Sequence, residues 1–217
     1  MSSNNFVIFI DAHIKYIWYY PIVAESNVFS IFQHFQLLVE PHFSRKIKSV
    51  QTDWGGEYRK LNSFFHTIDI HHRLICPHTH EQNGSIECHH RYIIKTCLTL
   101  LGQCSAPLWF WNYMLESSIY LINHMLTLVL QNQSPFECLF NGTPDYDFVH
   151  TFRCLYFLFL RPYHAHKLDF HSSPCVFLGY SSSHLGYHCL DLASHVYMST
   201  VMFVFMKICF CLLILNR

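Results

Sequence analysis

Ile47-Lys-Ser-Val50-Gln-Thr-Asp53-Trp-Gly-Gly56 and Cys76-Pro-His-Thr-His80-Glu-Gln-Asn83-Gly84-Ser-Ile-Glu87 are the two segments whose reading decides the fold. The first is a short strand, Ile47 to Thr52, that ends in a carboxylate and is closed by a glycine turn. The second has the turn signals Pro77, Asn83 and Gly84, and so is predicted to be a loop. After it Ser85 caps a long helix with Glu87 in its first turn, running to about Gly102. Singly, each carboxylate is ordinary: Asp is a common turn residue, and an early helical Glu complements the helix dipole. Together, a strand end and a helix start can converge on hard divalent cations, which prefer oxygen ligands. Two such ions can hold the attacking and leaving oxygens of a phosphodiester displacement.

The flanking sequence supplies the rest of an α/β layout. Phe6-Val-Ile-Phe-Ile10 is a continuous apolar run, the pattern of a strand buried on both faces, and it ends at Asp11. With the aromatic and β-branched stretch from Tyr16 to Val23 it reads as a hairpin. Ser26 is the expected N-cap of a helix carrying Val28, Ile31, Phe32, Phe35 and Leu38 as far as about Val39. A helix over about 60–67, a strand over 70–75 and a helix over 107–125 complete a mixed sheet with flanking helices. Beyond Asn141-Gly-Thr-Pro144 short apolar segments recur at 152–160, 175–180, 187–190 and 195–198, the pattern of a small all-β module.

Composition narrows the function classes. Charged residues make up 13% of the 217 and the formal net charge is zero, so any nucleic-acid role has to come from motifs rather than from a basic balance. At 51% hydrophobic the chain has ample apolar surface for a core, which argues against disorder. Ten cysteines and eighteen histidines suggest zinc, yet no C-x-x-C pair exists, and the neighbours His71 and His72 point apart on a strand. No zinc site is expected. The start of the chain lacks the pattern of a signal peptide, and the cysteines read as reduced thiols. The apolar stretch from Val201 to Leu215, broken by Lys207, falls short of the ~20 residues of a spanning helix, which argues against a membrane anchor.

The two acidic motifs belong to a longer ordered series. Asp53-x-Gly-Gly-Glu-Tyr58 and Pro77-His-Thr-x-x-Gln-Asn-Gly-x-x-Glu87 are followed by Tyr120-Leu-Ile-Asn-His124 and Ser134-Pro-Phe-Glu-Cys-Leu-Phe140. Arg161-Pro-Tyr-x-x-His-Lys-Leu168 and Cys175-Val-Phe-Leu-Gly-Tyr180 come next. In this order, over roughly residues 6–199, the chain resembles the integrase of Copia-type LTR retrotransposons. The resemblance implies an RNase H-like core at 1–104 whose first strand is missing. It further implies a helical connection at 105–145, a small SH3-like β module at 146–200 and an apolar tail at 201–217.

It also implies metal-dependent DNA strand transfer, with Asp53 and Glu87 as catalytic ligands of Mg2+ or Mn2+. DNA is the implied partner, with Asn83, Arg91 and Lys95 as contacts, in a nuclear or cytoplasmic protein that can self-associate. Arg91 and Lys95 follow Glu87 by one and two helical turns. Several positions depart from the family: Trp54 replaces a common Asn, Cys88 a basic residue and His89 a Lys. The family's first catalytic Asp falls on a strand before the one ending at Asp11. Asp11 could substitute only through a register slip that would turn every side chain of the strand to the other face. The expectation is a remnant integrase with weak nucleic-acid binding, a poorly held metal and no catalysis. The alternatives are an enzyme completed by an upstream segment and a membrane-associated non-enzyme formed through the tail.

Overall fold

The computed structural model describes residues 5–52, 55–75, 80–104, 110–152, 154–159, 172–180, 186–192 and 197–200. The chain divides into two compact units, one drawn from residues 1–11 and 17–92, the other from 12–16 and 93–217.

In the first unit β1 (Asn5–Ile10) and β2 (Ile17–Ile22) form the expected antiparallel hairpin, in register from Asn5↔Ile22 to Ile10↔Ile17. The double-sided burial expected for β1 is not found, since Val7 alone is buried there. The hairpin is a two-stranded sheet, and its core is built on the face of Val7 and Phe9; Phe9 stacks on Phe35 with ring centroids 4.3 Å apart. Helix α1 (Val28–Phe43) starts after a 3-10 turn over Glu25–Asn27, so Ser26 is not its cap. Its buried residues Val28, Phe32 and Phe35 follow helical spacing. It continues past Val39 through Pro41 and stops at Ser44, whose left-handed φ of 51° ends the helix.

Strand β3 (Ser49–Thr52) lies parallel to β4 (His71–Leu74), with α2 (Arg59–Thr67) as the connection between them. Leu61, Phe65 and Ile70 close the same core as the hairpin and α1, and Phe32 meets Phe65 edge-on at 4.8 Å. Fully burying side chains of this size stabilises the unit by roughly 1.5–3 kcal/mol each.

Helix α3 spans His80–Cys104. The loop expected as far as Gly84 is therefore corrected: residues 80–84 are helical, and Cys76–Thr79 lie outside the described residues. Glu81 and Gln82 are good helix formers, and an acidic residue suits a first turn. Gly84 costs about 1 kcal/mol relative to Ala, which a long helix tolerates. Farther along, Ile93, Cys97 and Leu101 are buried at intervals of four, anchoring the helix.

The second unit carries α4 (Trp111–His124), α5 (Pro135–Phe140) and the meander β5 (Leu155–Phe159), β6 (Ser172–Tyr180), β7 (Tyr187–Asp191) and β8 (Tyr197–Thr200). The four strands pair antiparallel in sequence order, the small β module expected from the sequence. The short α5 was not foreseen, although its signals are in the sequence. Pro135 stands at the first helical position, and the Ser134 hydroxyl accepts from the Glu137 N–H at 3.0 Å.

Helix α4 crosses β6 where the strand bulges between Phe177 and Gly179. Gly179 has φ +136°, and a Cβ there would lie 2.2 Å from Ser117 Oγ. Phe177, Tyr180, Tyr187, Cys175 and Cys189 make the module's core, on which Tyr120 stacks through Tyr180 at 3.9 Å. Burial there pushes the Tyr180 phenol up to about 12.

Candidate functional site

The strand that should deliver Asp53 ends at Thr52, and the end is tied down. Thr52 is buried, and its hydroxyl lies 2.9 Å from His72 Nε2 on β4. The other ring nitrogen, Nδ1, lies 3.0 Å from Asn62 Oδ1 on α2. An amide oxygen only accepts, so Nδ1 carries a proton; in the neutral ring Nε2 is then the acceptor and the Thr52 hydroxyl the donor. Burial, followed by the nearby His66 and His71, sets the His72 pKa below the usual histidine range. Strand alternation separates the adjacent pair, with His71 exposed and His72 turned inward, as the sequence implied. The bridge from β3 to α2 through His72 was not foreseen. Its only signal was the inward register of His72 beside a polar strand end.

Asp53 and Trp54 lie outside the described residues, so the structure does not show Asp53 and Glu87 together. Glu87 is half-buried and is the eighth residue of α3 rather than part of its first turn. The positive end of the helix dipole, which acts within about one turn, therefore does not serve it. Arg91 and Lys95 are exposed at four and eight residues past Glu87, spacings that return to the same side of a helix. Asn83 has helical backbone in the second turn. Asp11 follows the last residue of β1 and is half-buried. Among the described residues no three His, Cys, Asp or Glu side chains are grouped closely enough to hold a metal ion. Among them no helix is long and apolar enough to cross a membrane, and the apolar stretch 201–217 lies outside them.

Comparison with known proteins gives a consistent set of relatives. Residues 154–210 match the family described as the retroviral polymerase SH3-like domain, which covers β5 through β8 and beyond. The chain is 43% identical over 203 residues to the retrovirus-related Pol polyprotein from transposon RE1 of Arabidopsis thaliana, covering 92% of this chain and 14% of that one. Against the corresponding polyprotein from transposon RE2 of the same plant it is 40% identical over 195 residues, covering 88% and 13%. The chain therefore spans less than a sixth of the length of the curated relatives it matches. Among solved structures, a chain of the simian T-cell lymphotropic virus intasome in complex with the PP2A regulatory subunit B56 gamma aligns with a TM-score of 0.48 and 14% identity. That alignment covers 89% of this chain and 68% of the other.

Proposed function

The homologues of this chain are retrovirus-related Pol polyproteins of Copia-like transposons, and from that premise we propose that it is the integrase segment of such a polyprotein, one that binds DNA weakly and does not join strands on its own. What carries this reading is the ordered series of motifs from Asp53-x-Gly-Gly-Glu to Cys175-Val-Phe-Leu-Gly, lying within an alignment that covers 92% of the chain. The segment organisation that goes with it is a core at 1–104, a helical connection at 105–145, a β module at 146–200 and an apolar tail at 201–217. Asp53 and Glu87 are the residues that would hold a divalent cation, Mg2+ or Mn2+, which when bound would neutralise charge on a phosphodiester. Arg91 and Lys95, with Asn83 on the same helix, supply contacts to phosphate and sugar that position DNA without reading its sequence. Self-association of the chain on DNA belongs to the same reading.

The two acidic motif positions present here are fewer than the three the family uses, and an incomplete carboxylate set places a metal pair poorly. The expected outcome of a strand-transfer assay with labelled duplex DNA in Mg2+ or Mn2+ is no joined product from the 217-residue chain. Product that appears with this chain and disappears in Glu87→Gln would overturn the inactive reading. Addition of a segment carrying a third carboxylate strand is expected to restore joining, and failure of every such extension would count against the integrase assignment itself.

A further inference from the structure

We propose that the loop entering β3 and the outward face of the β3–β4 pair form a second surface for the phosphate backbone of a nucleic-acid duplex. It is separate from the contacts proposed on α3 and does not depend on them. Arg45, Lys46 and Lys48 place three of the chain's fourteen Lys and Arg residues within four positions, and all three are exposed. In a chain with zero net charge, such local segregation is what creates a field able to attract a polyanion.

The loop is fixed from inside. Ser44 ends α1 in the left-handed conformation, and the Arg45 N–H donates to the Glu40 carbonyl at 3.2 Å. The Glu40 carboxylate accepts from the Ile47 N–H at 2.9 Å and from Gln36 Nε2 at 3.2 Å. The nearest preceding acid is therefore engaged with its own loop, while Ile47 packs into the core between the exposed cations. The loop is also joined to the next strand, because the His71 N–H donates to the Lys48 carbonyl at 2.9 Å.

The register then extends the patch. Ser49 pairs with His71 and Gln51 with Arg73, and all four are exposed. Val50, Thr52 and His72 alternate to the inner side. Arg73 thus stands on the same face as two small polar side chains able to bond phosphate or sugar oxygens, and residues 44–51 and 71–73 contain no Asp or Glu. The closest acid on the β4 side is Asp69, exposed in the turn before the strand. From Lys48 to Arg73 the surface runs about 11 Å, three residues along the strand and one strand across, enough to meet about three phosphates at ~3.4 Å of axial rise per nucleotide. None of the exposed positions on this face is a large apolar side chain of the kind that enters a lipid interface, which favours a nucleic-acid duplex over a membrane.

The test uses the full chain and a fluorescein-labelled duplex of arbitrary sequence, read by anisotropy from 50 to 200 mM KCl. Each phosphate neutralised contributes about 0.9 to the slope of log K against log salt. The variant K46Q/K48Q/R73Q is expected to lower that slope by roughly 2.7 and to weaken binding at 50 mM salt more than tenfold. The charge-conserving K46R/K48R/R73K is expected to bind within about twofold of the parent, which separates charge from folding; circular dichroism checks both variants, and single K46E serves if the triple variant is unstable. R91Q/K95Q should lower the slope further when combined with the triple variant. If the triple variant binds like the parent while R91Q/K95Q abolishes binding, this surface is wrong and the α3 contacts stand. Charge-dependent binding to phosphatidylserine vesicles, with none to the duplex, would also overturn it.

Discussion

Replacing Gly179 by Ala tests how the small β module is seated against helix α4. The backbone at Gly179 has φ +136°, a region L-residues rarely adopt, and the new methyl would lie 2.2 Å from Ser117 Oγ, 3.4 Å from the Tyr113 carbonyl and 3.6 Å from Ser117 Cβ. Forcing a side chain into such a backbone conformation costs about 1–3 kcal/mol. Overpacking against α4 adds about 1–3 kcal/mol, because a buried helix and a bulged strand can both yield only a little. The expected loss is about 2–6 kcal/mol, a large fraction of the about 5–15 kcal/mol that holds an ordinary domain folded.

Urea titration followed by circular dichroism would measure it. Ser117→Ala separates the two contributions, since it removes the atom at 2.2 Å but leaves the backbone strain. By itself Ser117→Ala should cost under about 1 kcal/mol, because its hydrogen bond to the Leu178 carbonyl is long at 3.5 Å. In the double variant about 1–3 kcal/mol should return as coupling energy. A Gly179→Ala variant within about 0.5 kcal/mol of the parent would refute the reasoning, the usual range of a surface substitution. A double variant no more stable than Gly179→Ala alone would show that the Ser117 contact is not what excludes the methyl.

Two further outcomes follow from the structure. His72 and His124 are both pushed below the ordinary histidine pKa, in each case chiefly by burial; His124 also lies stacked between Tyr120 and Phe136 at 4.0 and 4.6 Å. The folded state then binds fewer protons than the unfolded chain, so their contribution is complete above about pH 6.5 and is lost as pH falls toward the folded values. Urea midpoints should drop between pH 7.5 and 5.5, and His72→Asn should flatten that drop; a midpoint that rises on acidification would contradict the assignment of neutral rings. Gly84→Ala, in a helix with nothing within 4 Å of the added methyl, should stabilise α3 by about 1 kcal/mol. Destabilisation by a similar amount would mean that the Asn83-Gly84 pair is a turn after all.

The sequence by itself determined which elements exist and much of their order. The hairpin, β3, α2, β4, the long α3 and the four-strand meander all follow from periodicity and turn chemistry, because amphipathic spacing is a local property that burial then satisfies. The motif series likewise pointed to the Pol polyprotein relatives that comparison finds, and it carries the expectation that Asp53, Glu87, Arg91 and Lys95 form the site. What it misread was decided by length and neighbours. Asn83-Gly84 reads as a turn in isolation, but α3 carries through it, since adding residues to an existing helix is far easier than nucleating one. Glu87 consequently lies beyond the reach of the helix N-terminus, and a first-turn role cannot be read from its motif alone.

The tertiary structure alone decided which side of each strand is buried and which polar groups meet. Phe6, Ile8 and Ile10 look like core residues in the sequence, yet they are half-buried: α1 and α2 build the core on the face of Val7 and Phe9, while on the other face Phe6 stacks on His90 of α3 with ring centroids 6.3 Å apart. Thr52, Asn62 and His72 are far apart in sequence, and beyond the inward register of His72 nothing local pairs them. They meet because the parallel pairing of β3 with β4 sets Thr52 opposite Leu74, with α2 folded back beside them. Gly179 is a glycine in a β-rich motif until α4 is placed against it, and only then does the 2.2 Å approach of Ser117 explain why no side chain fits. Propensity acts over a few residues, whereas packing and hydrogen bonding between distant segments are fixed only when the chain closes on itself.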